Sequence, residues 1–213
     1  MTTQEKQHEL ERIAREIREF KGLDIAKSAT RAVPGEGSPD TRVMFIGEAP
    51  GFHEDREGRP FVGQAGKLLE KTLKSAMGLD RSEVYITNIV KYRPPDNRDP
   101  LPAEVEACAG WLNRQITVIC PEIICTLGRF SLAKFIPDVS ISRVHGQPQF
   151  VNFENHRYVV FPMYHPAAAL RAGSVLRDFE ADFRKLNDML ITPVGKSLPE
   201  ITPDALNIQT SLF

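Results

Sequence analysis

The chain has 213 residues, 41% of them hydrophobic and 26% charged, which is enough for one domain with a core of ordinary composition. Lys and Arg number 27 against 28 Asp and Glu, a formal net charge of -1. That excludes a polycation that holds nucleic acid by bulk charge, so a nucleic-acid ligand needs a local basic face. No apolar run is long enough to span a bilayer, and the polar start MTTQEKQHELER is unlike a signal peptide. The three cysteines, Cys108, Cys120 and Cys125, are an odd set in apolar or helix-end contexts, which points to reduced thiols and a cytoplasmic setting.

In chain order, Leu10, Ile13, Ile17 and Phe20 recur at helical spacing, so Gln4 to Phe20 is expected to be a helix. RAVPGEGSPDTR is a loop. VMFIG (Val43 to Gly47) reads as a buried strand, Gly66 to Met77 as a helix, and VYITNIV (Val84 to Val90) as a second strand followed by the loop KYRPPDNRDP. Pro102 opens a helix, with Glu104 and Glu106 near its positive end. EIICTLG (Glu122 to Gly128) is a third strand, followed by a short helix near Phe130 to Phe135. HGQPQFV and RYVVFP read as a hairpin or a last strand pair, HPAAAL as a loop-to-helix step, and Val175 to Leu190 as a long helix. Residues 1–192 are expected to form one domain and residues 193–213 a flexible tail.

Strands alternating with helices imply an α/β fold with a mainly parallel sheet covered on both faces. Ligands bind such sheets outside the carboxyl ends of the strands. That places three candidate loops together, after Ile46, after Asn88 and after Pro162. The first, GEAPGFHEDREGRPFVGQAG, combines free backbone NH groups around Gly47 to Gly51 with acids that would repel phosphate and with the ring of Phe61. Asn88 ends a strand with an amide that donates and accepts side by side, and His165 precedes Pro166 at the same edge. A ring, an amide and a group that stabilises negative charge suit a nucleobase better than a bare phosphate. Each alone has a plain alternative: a turn, a core ring, a strand-end cap, a structural histidine. The case lies in their convergence.

GEAPGFHEDREGRPFVGQAGKLL, TNIVKYRPPDNRDP and YHPAAALR, in this order, closely resemble the motifs of the uracil-DNA glycosylase superfamily, and of its fourth family in particular, from about Val33 to Leu190. The resemblance implies a three-layer α/β/α fold around a mainly parallel four-stranded sheet. It also implies an enzyme that flips uracil out of DNA and hydrolyses its N-glycosidic bond, starting base excision repair. By the same resemblance Phe61 stacks on uracil, Asn88 reads its Watson–Crick edge, and the Gly47–Gly51 backbone, Ala49 included, lines the pocket. His165, neutral or charged, donates to the uracil carbonyl that becomes anionic. Glu48 is the functional acid, stabilising a cationic sugar or orienting water. Glu54 and Asp55 are further candidates, Glu54 as a brace for Asn88 or as a solvated loop acid. Ala49 stands where the best-known family of the superfamily has a water-orienting aspartate. Leu170 or Arg171 is the wedge that fills the gap in the duplex, and Arg171, Arg177, Lys91, Arg93 and Arg98 are candidate phosphate contacts.

The fourth family holds a four-iron, four-sulfur cluster on four cysteines. Three of those places fall here on Phe20, Leu23 and Tyr92, and only Cys108 remains, so the sequence leads to the expectation of no cluster and a buried, neutral Cys108 thiol. The last residues, QTSLF, resemble peptides that dock on the bacterial sliding clamp, with Leu212 and Phe213 in an apolar groove and Gln209 setting register. A monomer is expected. The alternative to a glycosylase is a non-catalytic base-flipping or single-stranded DNA-binding protein. A relative that traps the sugar covalently is disfavoured, because the basic insertion such relatives carry before the histidine motif has no counterpart.

Overall fold

The structure, a computed structural model, describes residues 1–191. Its elements are α1 (Thr3–Glu19), α2 (Asp24–Ser28), β1 (Glu36–Gly37), β2 (Val43–Gly47), α3 (Phe52–Glu57), α4 (Gln64–Thr72), β3 (Tyr85–Asn88), α5 (Pro102–Ile119), β4 (Ile123–Leu127), α6 (Arg129–Phe135), α7 (Ile141–Val144), β5 (Gln149–Phe153), β6 (His156–Met163), α8 (Pro166–Ala169) and α9 (Gly173–Ile191).

The six strands form one sheet in the order β1-β3-β2-β4-β6-β5. The four at its centre are parallel, as expected, and their carboxyl ends lie along one edge. Two antiparallel edge strands extend it. β5 pairs with β6 through a two-residue turn in which Glu154 and Asn155 both take positive φ (47° and 62°), the turn geometry that matches strand twist. β1 is only two residues long and lies in the segment read from sequence as loop. Its Gly37 (φ +128°) passes so close to β3 that a Cβ would lie 1.8 Å from the Val84 carbonyl oxygen.

Alternation along the strands divides the core. Met44, Ile46, Tyr85, Ile124 and Val160 face a cluster with Leu10, Ile13 and Ile17 of α1 and Leu112 and Ile116 of α5. Val43, Phe45, Ile86, Cys125 and Phe161 face Leu69 of α4 and Phe179 and Phe183 of α9. Both faces are covered, so β2 reads as an unbroken apolar run. The helix expected over Gly66 to Met77 is α4 followed by a wide π turn, Leu73–Met77, that ends at Gly78 in the left-handed conformation. The second strand stops at Asn88, short of the expected Val90, because Ile89 and Val90 donate instead to the Gly47 and Glu48 carbonyls at 3.0 Å each. That crossing ties the first two candidate loops together. The chain leaves β2 for β3 on one side and then crosses from β3 to β4 on the other side of β2, the kind of switch point where open α/β sheets bind ligands.

Phe45 stacks on Phe183 (ring centroids 5.7 Å apart, planes 11° apart) and is fully buried. Phe45→Ala is expected to lower unfolding free energy by about 3–5 kcal/mol with an unchanged denaturant slope, measured by urea titration.

Candidate active site

The carboxyl edge of the sheet opens into a cavity of about 380 Å³, walled by Glu48, Ala49, Gly51, Glu54 and Phe61 from the first loop, Asn88 and Asn97 from the second, and His165, Ala167 and Arg171 from the last. The sequence-predicted ring, amide and imidazole are brought into this one cavity. Gly47 and Asn88 are register partners on β2 and β3. A Cβ on Gly47 would lie 2.4 Å from Asn88 Oδ1 and 2.5 Å from the tip of the Phe61 ring, so only glycine lets the two groups meet.

Phe61 is buried and holds φ +51°, an uncommon conformation for a bulky residue. Its surroundings over-determine it. Glu54 Oε1 accepts from Val62 N and Gly63 N, both at 2.9 Å. Arg81 donates to the Phe61 carbonyl (2.8 Å), to the Pro60 carbonyl and to Glu36. Gly66 leaves room on the other side, where a Cβ would lie 1.8 Å from the Phe61 oxygen. Glu54 therefore shapes the Phe61 turn and makes no hydrogen bond to Asn88, a correction to its reading as a brace for that residue. Arg81 went unnoticed in the sequence because it belongs to a 3₁₀ turn 20 residues away from the ring it helps to fix.

Asn88 is buried, and its Oδ1 has no hydrogen-bond partner. The two other such side-chain atoms among the described residues, Thr126 Oγ1 and Asp182 Oδ1, do not line the cavity. An orphaned buried acceptor costs about 1–3 kcal/mol, which makes this one an opening for a donor. Behind Asn88, Lys91 Nζ donates to Thr87 Oγ1 (2.7 Å), the Asn88 carbonyl (2.8 Å) and Gln115 Oε1 (2.8 Å). Lys91 is wholly buried, so it cannot meet phosphate; its expected role there is corrected to a brace beneath the strand end.

His165 is the N-cap of α8, and its Nδ1 accepts from Ala167 N at 3.1 Å. That bond leaves the proton of the neutral ring on Nε2. Burial, with a smaller contribution from Arg171 against the opposing pull of Glu54, lowers the His165 pKa to about 4. The sequence left its charge open; the structure favours neutral imidazole. Its ring centroid is 5.6 Å from that of Phe61. Gly128 (φ +94°), at the end of β4, makes room for it, since a Cβ there would lie 3.1 Å from His165 Cβ. Glu48 makes no side-chain hydrogen bond among the described residues. Burial, reinforced by Asp99 and opposed by Arg129, raises its pKa.

Leu170 is 52% exposed at the end of α8, next to Arg171 on the cavity wall. Asp55, another candidate acid, is buried and accepts from Thr30 N (2.9 Å) and Arg31 N (3.4 Å), so it fastens α3 to the preceding loop and does not line the cavity. Arg98 forks onto Glu104 (2.9 and 2.7 Å), which withdraws it from phosphate, while Arg177 is exposed.

The model of the uracil DNA glycosylase superfamily matches residues 34–191. Over 189 residues the chain is 47% identical to the type-4 uracil-DNA glycosylase of Sulfurisphaera tokodaii, covering 86% of each chain. It is 43% identical over 198 residues to that of Archaeoglobus fulgidus (90% of this chain, 96% of the relative) and 40% identical over 179 residues to that of Thermotoga maritima (80% and 91%).

This kinship overturns the expectation of a cofactor-free protein, because type-4 enzymes carry an iron–sulfur cluster. The side chains at the family's ligand places do not fit that group. Tyr92 is buried with its hydroxyl donating to the Ile17 carbonyl, Phe20 packs edge-on against Trp111 (5.0 Å), and Leu23 packs against the same core. Cys108 supplies the single thiol, its pKa raised by burial, and no trio of His, Cys, Asp or Glu among the described residues could hold a metal. No step of the chemistry below passes through a cluster. By the reach of the family model and the identity to its type-4 members, this chain belongs to the uracil-DNA glycosylase superfamily.

Proposed function

We propose that the cavity receives a uracil flipped out of DNA and that its walls hydrolyse the bond between the base and the sugar. The chain is a uracil-DNA glycosylase, a hydrolase of N-glycosyl bonds; the roles of its side chains are our reading. The observation that carries it is the unpartnered Asn88 Oδ1 beside the Phe61 ring and the His165 imidazole. Uracil presents an N3–H donor flanked by two carbonyl acceptors. Asn88 accepts from that N–H and donates to the neighbouring carbonyl, whereas cytosine would present an acceptor to Oδ1. Phe61 stacks on the base, and the backbone of Gly47, Ala49 and Gly51 closes around its edge.

When the C1′–N1 bond breaks, its electron pair goes to the base and spreads onto the carbonyl oxygens. The Nε2–H of neutral His165 donates to the carbonyl next to N1, a donor fixed in place before charge develops. The sugar is left cationic, and the Glu48 carboxylate faces it, stabilising the cation and orienting the water that adds to C1′; the proton this water gives up passes to the carboxylate, and the proton balance closes when the uracil anion is protonated on release. Ala49 contributes no carboxylate, so leaving-group stabilisation carries more of the barrier. Leu170 fills the gap left by the flipped base, and Arg171 contacts a neighbouring phosphate.

Gln209–Phe213 lies outside the described residues; its sequence supports docking on a sliding clamp by an otherwise monomeric enzyme. No described helix is long and apolar enough to cross a membrane; we place the protein in the cytoplasm, where its DNA substrate is.

Three measurements test these readings. A uracil-containing oligonucleotide incubated with the chain and then treated with alkali is expected to break at the uracil, and His165→Ala to slow this about 10²–10³-fold with the fold intact by circular dichroism. Binding without scission would favour the non-catalytic alternative. In the pH profile of kcat, protonation removes the Glu48 carboxylate as pH falls through its raised pKa, so the acid limb should lie above the ordinary carboxylate range. Glu48→Gln should lower kcat and leave a residual rate that falls only near pH 4, where His165 protonates and loses its bond from Ala167 N. On gel filtration the full chain is expected to elute as a monomer and to shift with added clamp, and a chain lacking residues 209–213 to show no shift. Co-elution of the truncated chain would refute the docking segment.

A further inference from the structure

Phe52 is 47% exposed, the one aromatic residue among the large exposed hydrophobics of the described residues. Its position is not arbitrary. It follows Gly51 and precedes Glu54 by two residues, and both of these line the cavity. The His53 ring meets it edge-on at 5.5 Å and lies under Gly63, in the turn that carries Phe61. Two guanidinium groups approach the Phe52 ring, Arg56 at 5.6 Å and Arg93 at 5.2 Å from its centroid. Arg93 Nε also donates to Asn97 Oδ1 (2.7 Å), and Asn97 is on the cavity wall. Neither arginine pairs with a carboxylate among the described residues. Glu57 and Asp96, exposed beside them in the chain, form no ion pair with either. The cavity thus has two exposed apolar residues at its rim: Leu170, next to Arg171, and Phe52, next to Gly51.

An exposed ring with two uncommitted cations is what a single strand of nucleic acid recognises. Every base offers a π-face, stacking tolerates any sequence, and arginines beside the ring meet the backbone. Cation–π contacts at exposed sites are weak, so a base arriving on the ring displaces one guanidinium toward a phosphate at little cost. A protein-binding patch would call for a wider apolar area than one ring, and a phosphate site alone would not need the ring.

We propose that Phe52, with Arg56 and Arg93, is a second DNA-binding element: a stacking platform for an unpaired base of the uracil-bearing strand, next to the flipped nucleotide. The proposal rests on the reading of the cavity as the uracil site, and it makes uracil in single-stranded or locally opened DNA the favoured substrate.

The test uses the full chain and a short single-stranded oligonucleotide carrying one uracil beside 2-aminopurine, whose fluorescence falls when it stacks. Phe52→Ala is expected to lose the quench and to raise Kd and KM about tenfold or more. Phe52→Trp should keep both, and Phe52→Leu, apolar but without a π-face, should behave like the alanine variant. Arg93→Ala should reduce the slope of log Kd against log salt by about one. Equal KM for Phe52→Ala and the unaltered chain, rescue by leucine, an unchanged salt slope, or an effect confined to duplex DNA would each overturn the platform. If the unaltered chain releases no uracil from this strand, the cavity reading fails instead.

Discussion

The missing side chain at Gly47 sets the site. At the end of β2 a single Cβ would fall 2.4 Å from the Asn88 oxygen and 2.5 Å from the Phe61 ring, so the meeting of ring and amide depends on a hydrogen atom in that place. Everything around it reinforces the approach. Parallel pairing puts Gly47 opposite Asn88, and the Ile89 and Val90 amides donate to the Gly47 and Glu48 carbonyls to hold the two loops in step. The same close approach explains why Asn88 has a buried oxygen without a partner. The Ile89 and Val90 amides that follow Asn88 are spent on the Gly47 and Glu48 carbonyls, and Asn88 is on the cavity wall.

Phe61 illustrates how a strained residue is kept in place. Its left-handed backbone is disfavoured for a ring-bearing side chain. A carboxylate on two amides, a guanidinium on two carbonyls and the open space over Gly66 hold it there from three sides. Acids in a loop next to a nucleic-acid site are costly unless they are committed elsewhere. Glu54 and Asp55 are committed to backbone amides, while Glu48, also on the cavity wall, makes no side-chain hydrogen bond among the described residues, which suits a group proposed to face a cationic sugar.

The electrostatics follow the same division. His165 is held neutral by burial and by its role as a helix cap, so its outward nitrogen is a donor whose proton is settled before substrate arrives. Lys91, whose charge in KYRPPDNRDP looks available to phosphate, is instead folded under the sheet edge on four acceptors. Family membership assigns a cluster to type-4 enzymes, while the volume around Cys108 is packed with the rings of Tyr92, Phe20 and Trp111.

The sequence by itself determined the mainly parallel sheet, the α/β layering, and the three loops that carry Phe61, Asn88 and His165. Apolar runs, helical periodicity and Gly-Pro punctuation are local signals written along the chain. It did not determine β1, two residues of backbone pairing with no side-chain pattern, or the roles of Arg81, Gly128, Glu54 and Lys91. Those residues act through contacts across the fold, from Arg81 on the turn of Phe61 to Gly128 behind His165, and their chemistry as isolated letters admits either a solvent-facing or a buried role. Tertiary structure alone decided which charges face DNA and which are used up inside, because burial and partner geometry are set by segments far apart in the chain.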